Sequence, residues 1–188
     1  MASHKPHSLS TNTRRSAVLA GHPIRFTKAA LKRAGFTGFV SVEALVVPTE
    51  RRAIPQENGV YVVLYHGADP PAFTMRSTAG WFKGRDPTLP VVRLDRRWVI
   101  GAEVVYIGRA TKTRRTNLRA RVRALVRYGT GHRIGHEGGR ALWQLPGSTS
   151  LMVAWRTAET AQEAILAERE LIDDFRRQYK ALPFANVI

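Results

Sequence analysis

The sequence predicts an α/β (α+β) domain with a small three-stranded sheet flanked by helices. Three short runs rich in β-branched and aromatic residues, GVYVVLY (59–65), EVVYIG (103–108) and LMVAWR (151–156), read as the strands. Two longer runs, 117–128 and 161–180, repeat their apolar residues at helical spacing and read as the principal helices.

The other segments follow in chain order. Residues 1–23 are basic and rich in Ser and Thr, with no acid before Glu43, and read as a flexible arm rather than a transit peptide. The remaining residues, 24–188, are expected to form a single domain. FTKAALKRAG (26–35) has a helical period, with Thr27 as N-cap and Gly35 as the stop. GFVSVEALVV (38–47) is mixed strand and turn, and PQENG (55–59) is a turn cluster leading into the first strand. Residues 66–101 are punctuated by Pro and Gly and read as a long insertion, with one short strand at PVVRL. Within it, WFKGR (81–85) joins aromatic and basic side chains, as a nucleic-acid-contacting loop does; Trp81 and Phe82 could equally pin the loop to the core, which is the favoured expectation. A Gly-rich turn region (129–140) and a short apolar LWQL (142–145) precede the third strand. Thr160 and Glu163 form a capping-box pattern at the start of the last helix, and LPFAN (182–186) closes it.

Composition narrows the chemistry. The chain has no cysteine, which removes disulfides, thiol catalysis, iron–sulfur clusters and Cys-ligated zinc. Thirty Lys and Arg against fourteen Asp and Glu leave a net charge of +16. That excess favours a polyanionic partner, nucleic acid first, because each neutralised phosphate releases counterions, although a membrane surface or an acidic protein would satisfy the same charge. No run approaches the roughly 18–20 apolar residues of a membrane span, so no membrane association is expected. Without a secretory pattern the expected location is cytoplasmic.

Counting 100° per residue divides the arginines of the first long helix. Leu118, Val122, Leu125 and Val126 form its apolar stripe, while Arg119, Arg123 and Arg127 line up toward solvent. Arg121 borders the stripe on the opposite flank, alone. In the last helix Glu168 falls amid Ala164, Ile165, Leu171, Ile172 and Phe175. A carboxylate there needs a partner, either an ion pair, with Arg121 as the candidate, or a metal.

Gly59-Val60-Tyr61, Tyr106-Ile107-Gly108, the Asn117-Leu118-Arg119-Ala120-Arg121 helix start, Glu168 three residues before Leu171-Ile172, and the late Asn186 occur in this order. Together they resemble the GIY-YIG nuclease family. The resemblance implies an antiparallel sheet and a divalent-metal-dependent endonuclease acting on nucleic acid, DNA in the first place. It implies catalytic roles for Tyr61, Tyr106, Arg109, Arg121, Glu168 and Asn186, with Glu168 holding Mg²⁺ or Mn²⁺. Arg121 would stabilise the phosphate, and Tyr61 or Tyr106 would orient or deprotonate water, with Arg109 lowering the phenol pKa. Lys112, Arg114, Arg115, Arg119, Arg123 and Arg127 would track the nucleic-acid backbone. The sequence departs from the family's pattern in two places. Residues 62–105 separate the two signature tyrosines, and Leu125 stands where many members carry Tyr or His, with Tyr128, His132 or His136 as substitutes. The rival expectation is a catalytically inactive nucleic-acid-binding module of the same fold.

Overall fold

The computed structural model describes residues 26–134 and 138–186. The expected basic arm (1–23) and His136 lie outside them. Among the described residues no helix is long and apolar enough to cross a membrane.

The chain runs α1 (Lys28–Arg33), β1 (Thr37–Ser41), α2 (Val42–Val46), β2 (Asn58–Leu64), α3 (Val91–Asp95), β3 (Val104–Ala110), α4 (Leu118–Gly129), β4 (Met152–Ala158) and α5 (Ala161–Tyr179). The sheet has four strands, not the three expected, in the order β1-β4-β2-β3, and every neighbouring pair is antiparallel. The additional strand, TGFVS, is short and half exposed, with a register shift between Gly38 and Val40. It therefore lacks the apolar alternation by which a strand is recognised.

Strand β2 lies between β4 and β3 and is buried along its whole length. Its alternate side chains serve two cores. Tyr61 and Val63 join Leu118, Val122, Leu125 and Val126 of α4 on one face. Val60, Val62 and Leu64 join Leu171 and Phe175 of α5 and Leu31 of α1 on the other.

The helix ends are capped as their sequences indicate. Thr27 accepts from Ala30 N–H and Asn117 from Ala120 N–H. At α5, Thr160 accepts from Glu163 N–H, while the Glu163 carboxylate accepts from Glu159 N–H. The first amides of α4 are taken by chain carbonyls, Leu118 N–H by Glu57 and Arg119 N–H by Pro55. That arrangement fixes the helix against the approach to β2.

The long insertion is an ordered appendage of the α4 face. Phe73 stacks on Phe184 with ring centroids 5.3 Å apart, and Trp98 packs edge-on against both Tyr65 and Phe184. Asp69 staples its two ends together, accepting from Trp98 Nε1–H and Gly101 N–H, both at 2.6 Å. Gln144, fully buried in a 3₁₀ turn that includes most of LWQL, accepts from Leu89 N–H and donates to the Thr74 and Leu89 carbonyls. Two expectations for the insertion are corrected. PVVRL forms the short helix α3, buried through Leu94, rather than a strand. Trp81 is 54% exposed and Phe82 is half-buried outside both core clusters, so neither pins the loop; the buried Ala79, just before them, does.

Candidate functional site

The two signature strands pair directly, despite the insertion between them, with Tyr61 opposite Gly108 and Val63 opposite Tyr106. Tyr61 and Tyr106 therefore lie diagonally on the same face, their ring centroids 5.9 Å apart and tilted by 52°. Gly108 is the residue this arrangement demands. A Cβ there would lie 2.8 Å from the Tyr61 hydroxyl and 3.0 Å from the Tyr106 ring. Gly59 has a different reason, since its Cβ would lie 2.4 Å from the Arg156 carbonyl across the β4 ladder.

A cleft of about 370 Å³ opens at the β3 edge of the sheet, lined by Tyr106, Arg109, Ala110, Thr111, Thr116, Arg121 and Glu168. Its residues converge from three elements. Strand β3 contributes Tyr106 from one face and Arg109 from the other, because successive side chains alternate. Helix α4 brings Arg121 on the Tyr106 side, and α5 brings Glu168 on the Arg109 side. Glu168 is ion-paired, and its partner is Arg109 rather than the Arg121 expected from the helical wheels. The wheels set Arg121 at the edge of one apolar stripe and Glu168 within another; both are half-buried, but α4 and α5 pack on opposite sheet faces. The β3 arginine stands between them and reaches the carboxylate.

Burial dominates the phenols. It pushes Tyr61 well above the ordinary tyrosine value, with the Tyr106 hydroxyl adding to the rise and Arg121 opposing it. Tyr106 is also raised by burial, against the lowering influence of Tyr61 and Arg121. The cation acting on both phenols is thus Arg121, not Arg109 as expected, and it does not overcome desolvation. Both phenols hold their protons at neutral pH. The Tyr61 hydroxyl is buried without a hydrogen-bond partner of normal geometry among the described residues.

No protein-family model, curated protein or solved structure matches the chain.

The other expected site residues divide into three groups. Asn186 lies beside the cleft and clamps β3: its side chain accepts from Ile107 N–H at 2.9 Å and donates to the Ile107 carbonyl at 2.7 Å. Lys112 lies in the loop after β3, where its amide bonds to Asn58 and its ammonium pairs with Glu57. Arg114 and Arg115 are exposed in the same loop, next to the cleft residue Thr116.

The row Arg119, Arg123, Arg127 is not uniform. Arg119 turns back to donate to the Ile54 and Arg52 carbonyls and acts as a clamp. Arg123 is exposed and Arg127 half-buried. Both sit close enough to Arg51 to depress its guanidinium, although burial of Arg51 is the larger cause. Tyr128 is buried and His132 exposed, and neither lines the cleft.

Sequence reasoning missed Thr111 and Thr116 as cleft residues. It also missed Asn58, whose side chain joins Lys112 N–H to the Glu159 carbonyl and so ties the cleft loop to the start of α5. The Thr-rich run 111–116 was the available signal for the first two. Asn58 carried none, because a strand-end asparagine reads as a turn residue.

The donor set suits a hard divalent cation. Glu168, Thr111 and Thr116 offer oxygen, and the cleft has room for the waters that Mg²⁺ or Mn²⁺ retains. Among the described residues no group of three His, Cys, Asp or Glu side chains forms a dedicated cage. Any such cation would rest on Glu168, water and substrate oxygens.

Proposed function

We propose that the protein is a divalent-metal-dependent endonuclease of GIY-YIG type that hydrolyses phosphodiester bonds in nucleic acid, DNA in the first place. The observation that carries this reading is the meeting of Tyr106, Arg109, Arg121 and Glu168 in one open cleft. Phosphoryl chemistry needs fixed positive charge where the phosphate gains negative charge, and an oxygen donor for a cation at the leaving oxygen. A net charge of +16 supplies the attraction for a polyanionic substrate.

Glu168, with Thr111 and Thr116 beside it in the cleft, would hold a Mg²⁺ or Mn²⁺, which would supply neutralisation of the charge that develops on the phosphate. Arg121 stabilises the pentacovalent phosphate from its place beside Tyr106. Arg109 holds the Glu168 carboxylate in the cleft and exchanges part of that contact for the substrate phosphate. Tyr106 keeps its proton and orients the attacking water by hydrogen bonding, a role consistent with its raised pKa. As the new P–O bond forms and the bond to the leaving oxygen breaks, the water gives its proton to solvent in the open cleft and the leaving oxygen takes one from solvent. Tyr61 supports Tyr106 from behind.

The ion pair between Arg109 and Glu168 favours a second reading, a non-catalytic nucleic-acid-binding module in which that pair is purely structural. Incubation with single-stranded, double-stranded and branched DNA, and with RNA, with and without Mg²⁺, separates the two. The nuclease reading expects Mg²⁺-dependent cleavage that is lost in Glu168→Ala and Glu168→Gln. Binding without cleavage of any substrate supports the module. Cleavage that persists in both variants removes Glu168 from the site.

A further inference from the structure

We infer that the WFKGR segment is a base-stacking hairpin that directs the protein to nucleic acid with unpaired bases rather than to continuous duplex. The inference rests on the nucleic-acid reading above and deepens it.

Phe82 and Arg85 pair through both backbone bonds and enclose a two-residue turn, Lys83-Gly84, in which both residues have positive φ (51° and 73°). This is the tight hairpin geometry whose central positions favour Asn and Gly. Lysine stands at the first of them although its Cβ opposes the conformation, so turn chemistry alone does not explain it. Its ammonium lies 5.5 Å from the Phe82 ring centroid, at the exposed tip. Trp81, immediately before the hairpin, is 54% exposed, whereas Trp143 and Trp155 are buried.

An exposed indole two residues from the lysine at the hairpin tip matches what a base and its phosphate require: a flat apolar surface with positive charge close by in the chain. Asp86, the nearest acid, is engaged by Thr88 N–H at 2.7 Å.

The hairpin is anchored at the C-terminal end of α4 and is joined to the cleft by one connection. Gly80 N–H donates to the Tyr128 carbonyl at the end of α4, and a Cβ at Gly80 would lie 2.1 Å from the His132 carbonyl. Arg140 donates to the carbonyls of Asp86, Pro87 and Thr88 at the hairpin base. Only two residues earlier, Gly138 passes so close to Tyr106 that a Cβ would lie 2.5 Å from its hydroxyl. Two residues span at most about 7 Å. The hairpin base and the cleft therefore share one short strap, which places an unpaired base at Trp81 within a few nucleotides of a phosphate in the cleft.

The test is equilibrium binding without divalent metal, by fluorescence anisotropy, to labelled single strands, to duplexes with one bulged base, and to continuous duplex. Trp81→Ala should lose about tenfold in affinity for the bulged and single-stranded probes and change little on duplex, while Trp81→Phe keeps most of the affinity. Intrinsic tryptophan fluorescence of the wild type should be quenched by the bulged probe, and Trp81→Phe should lose that quenching. Lys83→Gly relieves the turn, so it should leave thermal stability equal or higher while lowering the salt slope by about one phosphate contact. If Trp81→Ala binds all three probes like the wild type, the inference fails, whatever cleavage shows. If the wild type binds no nucleic acid, the inference fails together with the proposed function. A tenfold selective loss without any cleavage retains the inference and removes the nuclease.

Discussion

Tyr61 is hard to explain by packing alone. Phenylalanine would fill the same space, yet the chain buries a hydroxyl with no partner of normal geometry among the described residues. Its interaction is with the Tyr106 hydroxyl, which favours the protonated Tyr61 phenol. Tyr61→Phe is therefore expected to change stability by less than about 1 kcal/mol in thermal unfolding, while turnover of a susceptible substrate falls because the hydroxyl that organises Tyr106 is gone. The same burial sets a pH dependence. Because burial raises the folded-state pKa, the phenol's contribution to stability is fully present below about pH 10, where the unfolded chain begins to ionise. It is lost as pH rises toward the folded value. Alkaline unfolding above about pH 10 should steepen in the wild type, and Tyr61→Phe should remove up to about 1.4 kcal/mol per pH unit of that slope. Of the cleft residues, Glu168 and Arg121 were legible because each breaks a helical pattern. The partner of Glu168 was not, since a wheel describes one helix and the ion pair joins a helix to a strand.

Strand β3 carries Tyr106, Gly108 and Arg109 at an edge of the sheet, where unpaired backbone groups are a liability. The tail covers that edge: Ala185 N–H bonds to the Val105 carbonyl, and Asn186 takes both polar groups of Ile107. Asn186→Ala should thus cost about 1–2 kcal/mol and speed hydrogen exchange at the Ile107 amide, with the cleft residues on either side losing position. Unchanged exchange at Ile107 would contradict the clamp. Helices α4 and α5 were readable from period and caps. Two short elements were not. Strand β1 has a glycine and a bulge where alternation was needed, and α3 carries two valines that read as strand but follows Pro90 and buries only Leu94.

The distribution of positive charge across the molecule separates attraction from chemistry. Arg123→Ala and Arg127→Ala are expected to leave stability nearly unchanged and each to lower the salt slope of nucleic-acid binding by about 0.9. Arg121→Ala should abolish turnover with little loss of affinity. Arg119→Ala belongs to neither class. It removes bonds to the Arg52 and Ile54 carbonyls and should cost about 1–3 kcal/mol in unfolding experiments. Salt titrations and thermal melts of the four variants check this, and identical behaviour of Arg121, Arg123 and Arg127 would defeat the helical-face argument.

The sequence by itself determined the three principal strands, the two long helices and their caps, and the strongly positive net charge, because periodicity, capping and charge can be read from the sequence without the fold. It also singled out Arg121 and Glu168. Only the tertiary structure decided that β1 completes the sheet, that Arg109 holds Glu168, that Asn186 clamps β3, and that the insertion packs on the α4-side core with Trp81 exposed. Each of these joins segments remote in sequence, and such contacts exist only once the two sheet faces have packed.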